Sequence, residues 1–597
     1  MDLYGFYTGA IFNAYEYLGA HRMKEGFVFR VFAPNADRVM LIGDFNNMSE
    51  YLMNEINDGN FYELYVKHAK PGMRYFFRIY DNNGGYVDHC DIYGYGMELR
   101  PGFNSVLRDF DEYKFNDDEW LRRRTDCRNK PLNIYEIHMG SWRKPSEDVW
   151  YNYSEIADEL IAYVKEAGYN YIEFMPLSEH PCDESWGYQN TGFFAPTSRY
   201  GTVSQLKELV DKCHRNNIGV IMDFVPVHFA VDSYGIGKYD GTALYEYPYS
   251  DVGMSEWGST NFMHSRGEVR SFLQSCAYYW LKEFHFDGIR VDAVSRIIYW
   301  QGDESRGVNV CAVEFIKNMN KGIKELLPDC MLIAEDSSAY PNVTKPVSEG
   351  GLGFDYKWDM GFMHDTLNYF RTAPEYRTEN YNKLSFSMLY YYNESFMLAF
   401  SHDENVHGKA TIMQKMSGAY EEKFPQARAM YLYMYMHPGK KLNFMGAEIG
   451  QLREWDPKRE QDWDILKYPV HDSFYRFMKE LNNLYLTHSA MYERDYDREG
   501  FKWLDCDNPE NCIYAIERTS KKERLAAVFN FSNEEKEYSL EDFEEAELLL
   551  HTDWMRFGGQ TAEDAELDTE NLVLPAYSGV LISDRGAVAK CTDRIKR

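Results

Sequence analysis

The sequence has a shortage of basic residues, and it lacks a long apolar run. Its 597 residues include 64 Lys+Arg against 94 Asp+Glu, which gives a net charge of −30 at neutral pH. Such a surface repels polyanions, so nucleic acid and anionic membranes are disfavoured as partners. No apolar stretch approaches the roughly 20 residues that a membrane-spanning helix needs.

Cysteine pairs are also missing. The ten cysteines contain no CxxC pair, which argues against a zinc ribbon, a redox dithiol or a disulfide scaffold. The amino-terminal stretch has an acid at Asp2 and no basic residue before His21, unlike a secretory signal. We therefore expect a cytoplasmic protein with reduced thiols.

Aromatic residues, by contrast, are abundant, with 12 Trp, 49 Tyr and 37 Phe. They fit either large cores or flat surfaces that stack on sugar rings and bases. Because the charge argues against nucleic acid, sugars are the favoured ligand.

The pattern of strand-like and helical segments changes twice along the chain. From about residue 21 to 116, short strand-like runs alternate with turns, which predicts a β-sandwich within residues 1–118. After Pro131, apolar runs alternate with helical patterns, one of which starts at a Thr202–Gln205 capping box. From about residue 489, strand-like runs return without helices, which predicts a second β-sandwich over 489–597 with a loose tail at 586–597.

The middle segment contains eight strand candidates, and eight parallel strands close a barrel. The prediction for residues 119–488 is therefore a (β/α)8 TIM barrel with inserted loops. The candidates are 133–139, 169–177, 220–227, 286–294, 330–336, 351–358, 396–404 and 440–446.

Four carboxylates lie inside or directly after these apolar runs: Asp223, Asp292, Glu335 and Asp403. Barrel enzymes keep their catalytic groups at the carboxyl ends of the strands. One such carboxylate is often only a structural ion pair, but four on one rim are hard to explain in that way.

Three neighbours strengthen this interpretation. Arg290 lies two residues before Asp292, so both side chains point to the same side of the strand and the guanidinium favours ionised Asp292. His228 and His402 could donate hydrogen bonds to hydroxyl groups, or they could be structural histidines. Without a Ser or Cys nucleophile motif, the set points to glycoside chemistry by two carboxyl groups, with retention or inversion left open.

The chain resembles bacterial glycogen branching enzymes of the α-amylase clan over nearly its whole length. The resemblance rests on IYEIHMGSW (134–142), SWGYQNTGFFAPTSRYG (185–201), DFVPVHF (223–229), DGIRVDAV (287–294), AEDS (334–337), GLGFDYKWDMGFMHDTL (351–367), SHDENVHGK (401–409) and HPGKKLNFMGAEIGQ (437–451). The sequence departs from the family pattern at Met48, where Trp is usual, and in a shortened loop at 301–315.

The resemblance implies that Asp292 is the nucleophile, that Glu335 is the general acid/base and that Asp403 stabilises the transition state. It implies that five further residues form the substrate-binding site: Arg290, His228 and His402 support the sugar, Tyr188 stacks on it, and Asp223 braces the site. No metal and no cofactor are expected. Val227 stands where calcium-dependent amylases have an Asn ligand.

The resemblance implies a transferase that cuts an α-1,4-glucan such as amylose or glycogen and moves the fragment to a 6-hydroxyl. A monomer is expected. An amylase or debranching hydrolase of the same clan remains an alternative. A glucan-binding protein with a decayed barrel is disfavoured, since Asp292, Glu335 and Asp403 are all present.

Overall fold

Eight parallel strands close a barrel in the computed structural model, which describes residues 1–110, 112–543 and 546–584. The strands follow one another round the barrel in chain order, and all eight predicted strands are confirmed. They are Asn133–Ile137, Tyr171–Phe174, Gly219–Phe224, Gly288–Val291, Met331–Ala334, Tyr356–Trp358, Phe396–Phe400 and Lys440–Phe444. Every residue in them is buried, which is why they are nearly continuous apolar runs.

The amino-terminal region forms the predicted β-sandwich from two antiparallel sheets. Phe29 on one sheet contacts the ring of Tyr75 on the other at 5.0 Å between centroids. One sheet consists of Gly19–Arg22, Phe27–Phe32, Phe61–Val66 and Asn54–Ile56. The other consists of Tyr51–Leu52, Arg38–Gly43, Arg74–Tyr80 and Tyr86–His89, with Ser105–Val106 paired to Arg74–Tyr80.

The helix Val203–Arg215 carries the cap that its sequence predicts. At the start of Val203–Arg215, Thr202 Oγ1 accepts a hydrogen bond from Gln205 N, and Gln205 Oε1 accepts one from Thr202 N. The longer helices are Tyr153–Ala167, Val203–Arg215, Gly267–Glu283, Val310–Leu326, Met360–Arg371, Tyr420–Met436 and Pro469–Thr487. The shorter ones are Leu3–Thr8, Asp118–Arg123, Met139–Trp142, Ser250–Gly253, Val294–Ile298, Asn382–Phe386 and Ile412–Lys415.

The carboxyl-terminal region is built from strands, as predicted. A five-stranded antiparallel sheet has the order Phe501–Asp505, Ile513–Thr519, Arg524–Asn530, Ser578–Asp584 and Ala546–His551. Lys536–Tyr538 pairs with Leu572–Leu574 in a second sheet. The predicted tail at 586–597 lies outside the described residues.

The chain divides into two compact units. The first contains residues 1–124, 138–161 and 173–355, and the second contains 125–137, 162–172 and the chain from 356 onward. In the first unit, Ser271 Oγ of helix Gly267–Glu283 donates to the carbonyl oxygen of Phe6 at 2.9 Å. This hydrogen bond joins the helix Leu3–Thr8 to helix Gly267–Glu283. Among the described residues, none of the helices has both the length and the apolar character needed to cross a bilayer.

Candidate active site

Arg290 brings three of the four predicted carboxylates together. It lies on the fourth barrel strand, where it is the register partner of Asp223 on the third barrel strand. Its Nη1 donates to Asp223 Oδ2 at 2.8 Å and to Asp292 Oδ1 at 3.0 Å, and its Nη2 donates to Glu335 Oε2 at 2.6 Å. These four side chains form one network in the first unit.

The network keeps a buried guanidinium charged. The Arg290 side chain is fully buried, and burial lowers its pKa, but the carboxylates of Asp223 and Glu335 outweigh that effect and hold the pKa well above its ordinary value. Asp223 is equally inaccessible and also accepts a hydrogen bond from the Tyr188 hydroxyl. A buried charge of this kind is stable only when its partners are in place.

Asp292 and Glu335 differ from Asp223 in that solvent reaches them. Their side chains are 13% and 16% exposed, against 0% for Asp223. Each directly follows its strand, and the last residues of those strands, Val291 and Ala334, are register partners. One guanidinium therefore orients two accessible carboxyl groups at the ends of neighbouring strands.

Glu335 is held through a single oxygen. Its Oε2 accepts from Arg290 and also from the backbone N–H of Ala293 at 3.0 Å, where Ala293 has a left-handed φ of 45°. Within the described residues no group donates a hydrogen bond to Oε1. That oxygen is left for interaction with a bound ligand.

His228 lies four residues beyond the third strand, in a short strand pair with Asn261. Burial, with a smaller contribution from Arg296, lowers the pKa of His228 to about 4, so the ring is neutral at neutral pH. Its ring centroid lies 5.3 Å from that of Trp257. Trp257 is 46% exposed and lies under the Arg296 guanidinium at 4.8 Å. Sequence reasoning missed Trp257, for which the only signal was an aromatic residue within a polar loop.

His402 and Asp403 form a separate group in the second unit. His402 Nδ1 lies 2.5 Å from Glu136 Oε1, and the backbone N–H of His402 donates to Glu136 Oε2 at 2.9 Å. The Asp403 side chain is 37% exposed, with Oδ1 3.6 Å from His402 Nε2. Glu136 was also missed, although a lone carboxylate in the apolar run NIYEI was a usable signal.

Within the part of the chain that the structure describes, no cluster of three or more His, Cys, Asp or Glu side chains is arranged to hold a metal ion. The groups of the site that solvent reaches include the carboxyl groups of Asp292, Glu335 and Asp403.

Three protein families match consecutive parts of the chain. Residues 17–94 match carbohydrate-binding module 48, described as the isoamylase N-terminal domain. Residues 141–239 and 255–523 match the α-amylase catalytic domain, and 503–588 match the α-amylase C-terminal all-β domain.

Curated relatives resemble the chain over most of its length. It is 44% identical to the 1,4-alpha-glucan branching enzyme GlgB of Fusobacterium nucleatum, over 94% of this chain and 92% of that protein. It is 42% identical to the enzyme of the same name from Bacillus subtilis, over 89% of this chain and 86% of that protein.

Solved structures share the fold at much lower identity. A pullulanase from Bacillus acidopullulyticus superposes with a TM-score of 0.74 at 16% identity, covering 95% of this chain and 74% of that one. A putative α-amylase from Salmonella typhimurium gives 0.72 at 18% identity, covering 95% and 100%. These two likenesses bear on the fold alone.

Proposed function

The chain belongs to the 1,4-α-glucan branching enzyme family, and from that premise we propose that it cleaves an α-1,4-glucan and transfers the fragment to a 6-hydroxyl. The observation that supports this chemistry is the Arg290 network, in which one buried cation orients Asp292 and Glu335. The product would be an α-1,6 branch in a glycogen-type polymer.

In the first step, a carboxylate oxygen of Asp292 attacks the anomeric carbon of the donor glucan. The bond from that carbon to the glycosidic oxygen breaks, and Glu335 gives its proton to the departing oxygen. The fragment is then an ester of Asp292. Arg290 favours this step because its charge keeps Asp292 ionised before the attack.

In the second step, Glu335 takes the proton from the 6-hydroxyl of an acceptor glucan, and that oxygen attacks the anomeric carbon. The ester bond breaks, Asp292 becomes a free carboxylate again and Glu335 regains its proton. Two displacements retain the α configuration. The ester conserves the energy of the cleaved bond, so no nucleotide sugar or other cofactor is required.

Supporting roles are proposed for the remaining residues. Asp403 would bind sugar hydroxyls and stabilise the positive charge that develops at the transition state, with His402 oriented by Glu136. Neutral His228 would hydrogen-bond a sugar hydroxyl, and Tyr188 would contact the ring of the sugar that is attacked. Asp223 would fix Arg290 and Tyr188 without touching the substrate.

We also propose the substrates, the cellular location and the oligomeric state. Amylose and glycogen are the proposed substrates, since the chain combines an α-amylase catalytic domain with carbohydrate-binding module 48. We propose a cytoplasmic enzyme that acts as a monomer.

The test is to incubate the full chain with amylose in the presence of a chelator, following iodine colour and reducing ends together. The product is then treated with a debranching enzyme and the ends are recounted. Branching predicts falling colour with few new ends until debranching, because transfer conserves reducing ends. New ends from the start would identify a hydrolase instead.

Asp292→Ala is the matched control. It removes the proposed nucleophile but leaves the buried Arg290–Asp223 pair in place, so we expect a folded protein that changes neither iodine colour nor reducing ends. Appreciable turnover in this variant would refute the assignment of Asp292.

A further inference from the structure

A cleft of about 720 Å³ lies in the second unit, apart from the residues of the Arg290 network. Its walls come from helix Met360–Arg371, from residues 404–410 and from residues 414–423. The charged and titratable groups that line it are His364, Arg371, Lys409, Lys415, Lys423 and Glu404. The branching reaction uses none of the five basic groups.

The lining of this cleft is mainly basic, whereas the whole chain has a negative net charge. Four cations and one histidine face a single carboxylate, although the net charge of the protein is −30. The field over most of the surface would repel an anion, so a positive cleft is the place where one could bind.

One face of a helix supplies part of the lining. His364, Asn368 and Arg371 are spaced by four and three residues, which puts their side chains on the same side of helix Met360–Arg371. His364 and Arg371 are exposed, and Arg371 Nη2 donates to the carbonyl oxygen of Lys409 at 3.2 Å. The guanidinium is thus fixed beside the segment that forms the opposite wall.

Lys409 and Lys415 both neighbour the one carboxylate. Lys409 Nζ lies 3.2 Å from Glu404 Oε1, and its side chain is 47% exposed. The Lys415 side chain is only 1% exposed, with Nζ 3.8 Å from Glu404 Oε2 and 2.7 Å from the carbonyl oxygen of Ala410. The Glu404 carboxylate is therefore shared by the ammonium groups of Lys409 and Lys415.

The carboxylates of Glu404, Glu422 and Glu454 compensate only part of the positive charge of the four cations. Burial lowers the pKa of Lys415 to about 8; Glu404 and Glu454 raise it, and Arg371 and Lys409 lower it. Burial likewise lowers the pKa of Lys423, whose Nζ donates to the carbonyl oxygen of Gln414 at 3.1 Å. An anion in the cleft would offset this repulsion.

We propose that the cleft binds a phosphorylated sugar, with the phosphoryl group held by Arg371, Lys409 and Lys423. Arg and Lys side chains are the usual ligands of phosphate, and the volume lies within the roughly 300–1,000 Å³ typical of small-molecule sites. Asn368, Gln414 and Ser417 supply hydrogen bonds for sugar hydroxyls. Among the described residues that line the cleft there is no Trp, Tyr or Phe, so it lacks the platform on which an uncharged sugar stacks.

The phosphoryl group could belong to a free sugar phosphate or to a phosphorylated glucan chain. Calorimetric titration of the full chain with glucose 6-phosphate, and with a phosphorylated maltooligosaccharide, tests both sources. Tighter binding of the first by tenfold or more identifies a metabolite, and tighter binding of the second identifies a chain. The dephosphorylated oligosaccharide binds at the proposed active site in any case, so the contribution of the cleft is the difference in affinity between the unaltered chain and a cleft variant. Glucose is the second uncharged control.

The His364→Gln/Arg371→Gln double variant should weaken binding of the phosphorylated probe by tenfold or more. Both side chains are exposed, so the fold should persist, and Lys409→Gln provides a second variant. Lys321→Gln removes a cation that is 60% exposed on a helix of the other unit and should leave the affinity unchanged. The proposal fails if no phosphorylated probe saturates, if the double variant loses affinity for the uncharged oligosaccharide as much as for the phosphorylated one, or if the cleft variants bind like Lys321→Gln.

Discussion

Arg290 contacts both of the proposed catalytic carboxyl groups. Glu335 also accepts a hydrogen bond from the backbone N–H of Ala293. Both of those donors reach the same oxygen of Glu335, which leaves Oε1 for the proton. This oxygen is available to a ligand, in keeping with the proposed acid/base role of Glu335, while the assignment of the nucleophile to Asp292 follows the family resemblance.

A Glu335→Gln substitution should separate the two steps. Gln keeps an oxygen that accepts from Arg290 and Ala293, but it has no proton to give, so activity on amylose should fall by about 10²- to 10⁴-fold. A glucosyl fluoride donor should still be cleaved, because fluoride leaves without protonation. The measurements are iodine colour with amylose and fluoride release with the activated donor.

Glu325→Gln serves as the control for this variant, since its side chain is 66% exposed on the surface of a helix and neither rate should change. Equal losses of Glu335→Gln on amylose and on the fluoride would contradict the acid/base role.

At the residue level, the sequence predicted the members of the network better than their contacts. Asp223, Arg290, Asp292 and Glu335 could be grouped because strand side chains alternate and parallel strands end at one rim. Glu136 could not be paired with His402, because 266 residues separate them and spacing along the chain carries no information on such a contact.

At the level of elements, burial decides what the sequence could predict. The barrel strands are buried on both faces, so their apolar runs were all recognised, with ends that differ from the structure by a few residues. Tyr51–Leu52 was not predicted as a strand, because two exposed residues at a sheet edge carry neither an apolar run nor an alternation.

A buried ionic group joins the eighth barrel strand to the five-stranded carboxyl-terminal sheet. Asp495 accepts hydrogen bonds from Lys440 at 2.9 Å and from Arg518 at 2.7 Å, and all three side chains are 0% exposed. Lys440 begins the eighth barrel strand, whereas Arg518 belongs to the second strand of the carboxyl-terminal sheet. In this group of three described side chains, Asp495 therefore supplies the one negative charge that faces two buried cations.

Asp495→Ala should lower the free energy of unfolding by about 3–5 kcal/mol, since it leaves both cations buried without a counter-ion. Asp497→Ala, two residues further on, removes a carboxylate that is 49% exposed and should cost no more than about 1 kcal/mol. Urea titration followed by far-UV circular dichroism measures both. Similar midpoints for the two variants would show that the buried group does not join these elements.

At the scale of the whole molecule, composition predicted the net charge but not where it is concentrated. A value of −30 describes the average surface, whereas the basic cleft assembles residues spread from 364 to 423. Their clustering depends on a helix face meeting a loop, which no local pattern shows.

Buried histidines should make the molecule sensitive to acid. Burial lowers the pKa of His138, His180 and His437 to about 3, and that of His228, His264 and His551 to about 4. Below the ordinary value of about 6.5 these groups are protonated in the unfolded chain but neutral in the folded one, so each lowers the stability by about 1.4 kcal/mol per pH unit as the pH falls.

Two buried carboxyl groups act in the opposite direction. Burial raises the pKa of Asp91 and Asp359 to about 6, so each of them binds a proton in the folded state before it does so in the unfolded chain. Burial also raises the pKa of Glu246 and Glu448, and it lowers the pKa of His21, His89 and His471. The histidines still outnumber the carboxyl groups, so the net effect between pH 6.5 and 5 is a loss of stability as the pH falls.

We therefore expect the melting temperature in scanning calorimetry to be near its maximum at about pH 7 and to fall steeply between pH 6.5 and 5, with protons taken up on unfolding. His264→Gln tests the cause, because Gln can still donate to the Pro226 carbonyl oxygen that His264 contacts at 2.9 Å but cannot be protonated. This variant should show a shallower dependence on pH, with one fewer proton bound on unfolding at pH 5. A melting temperature that is constant over this range, or proton release on unfolding, would mean that the neutral buried histidines do not control the acid stability of the fold.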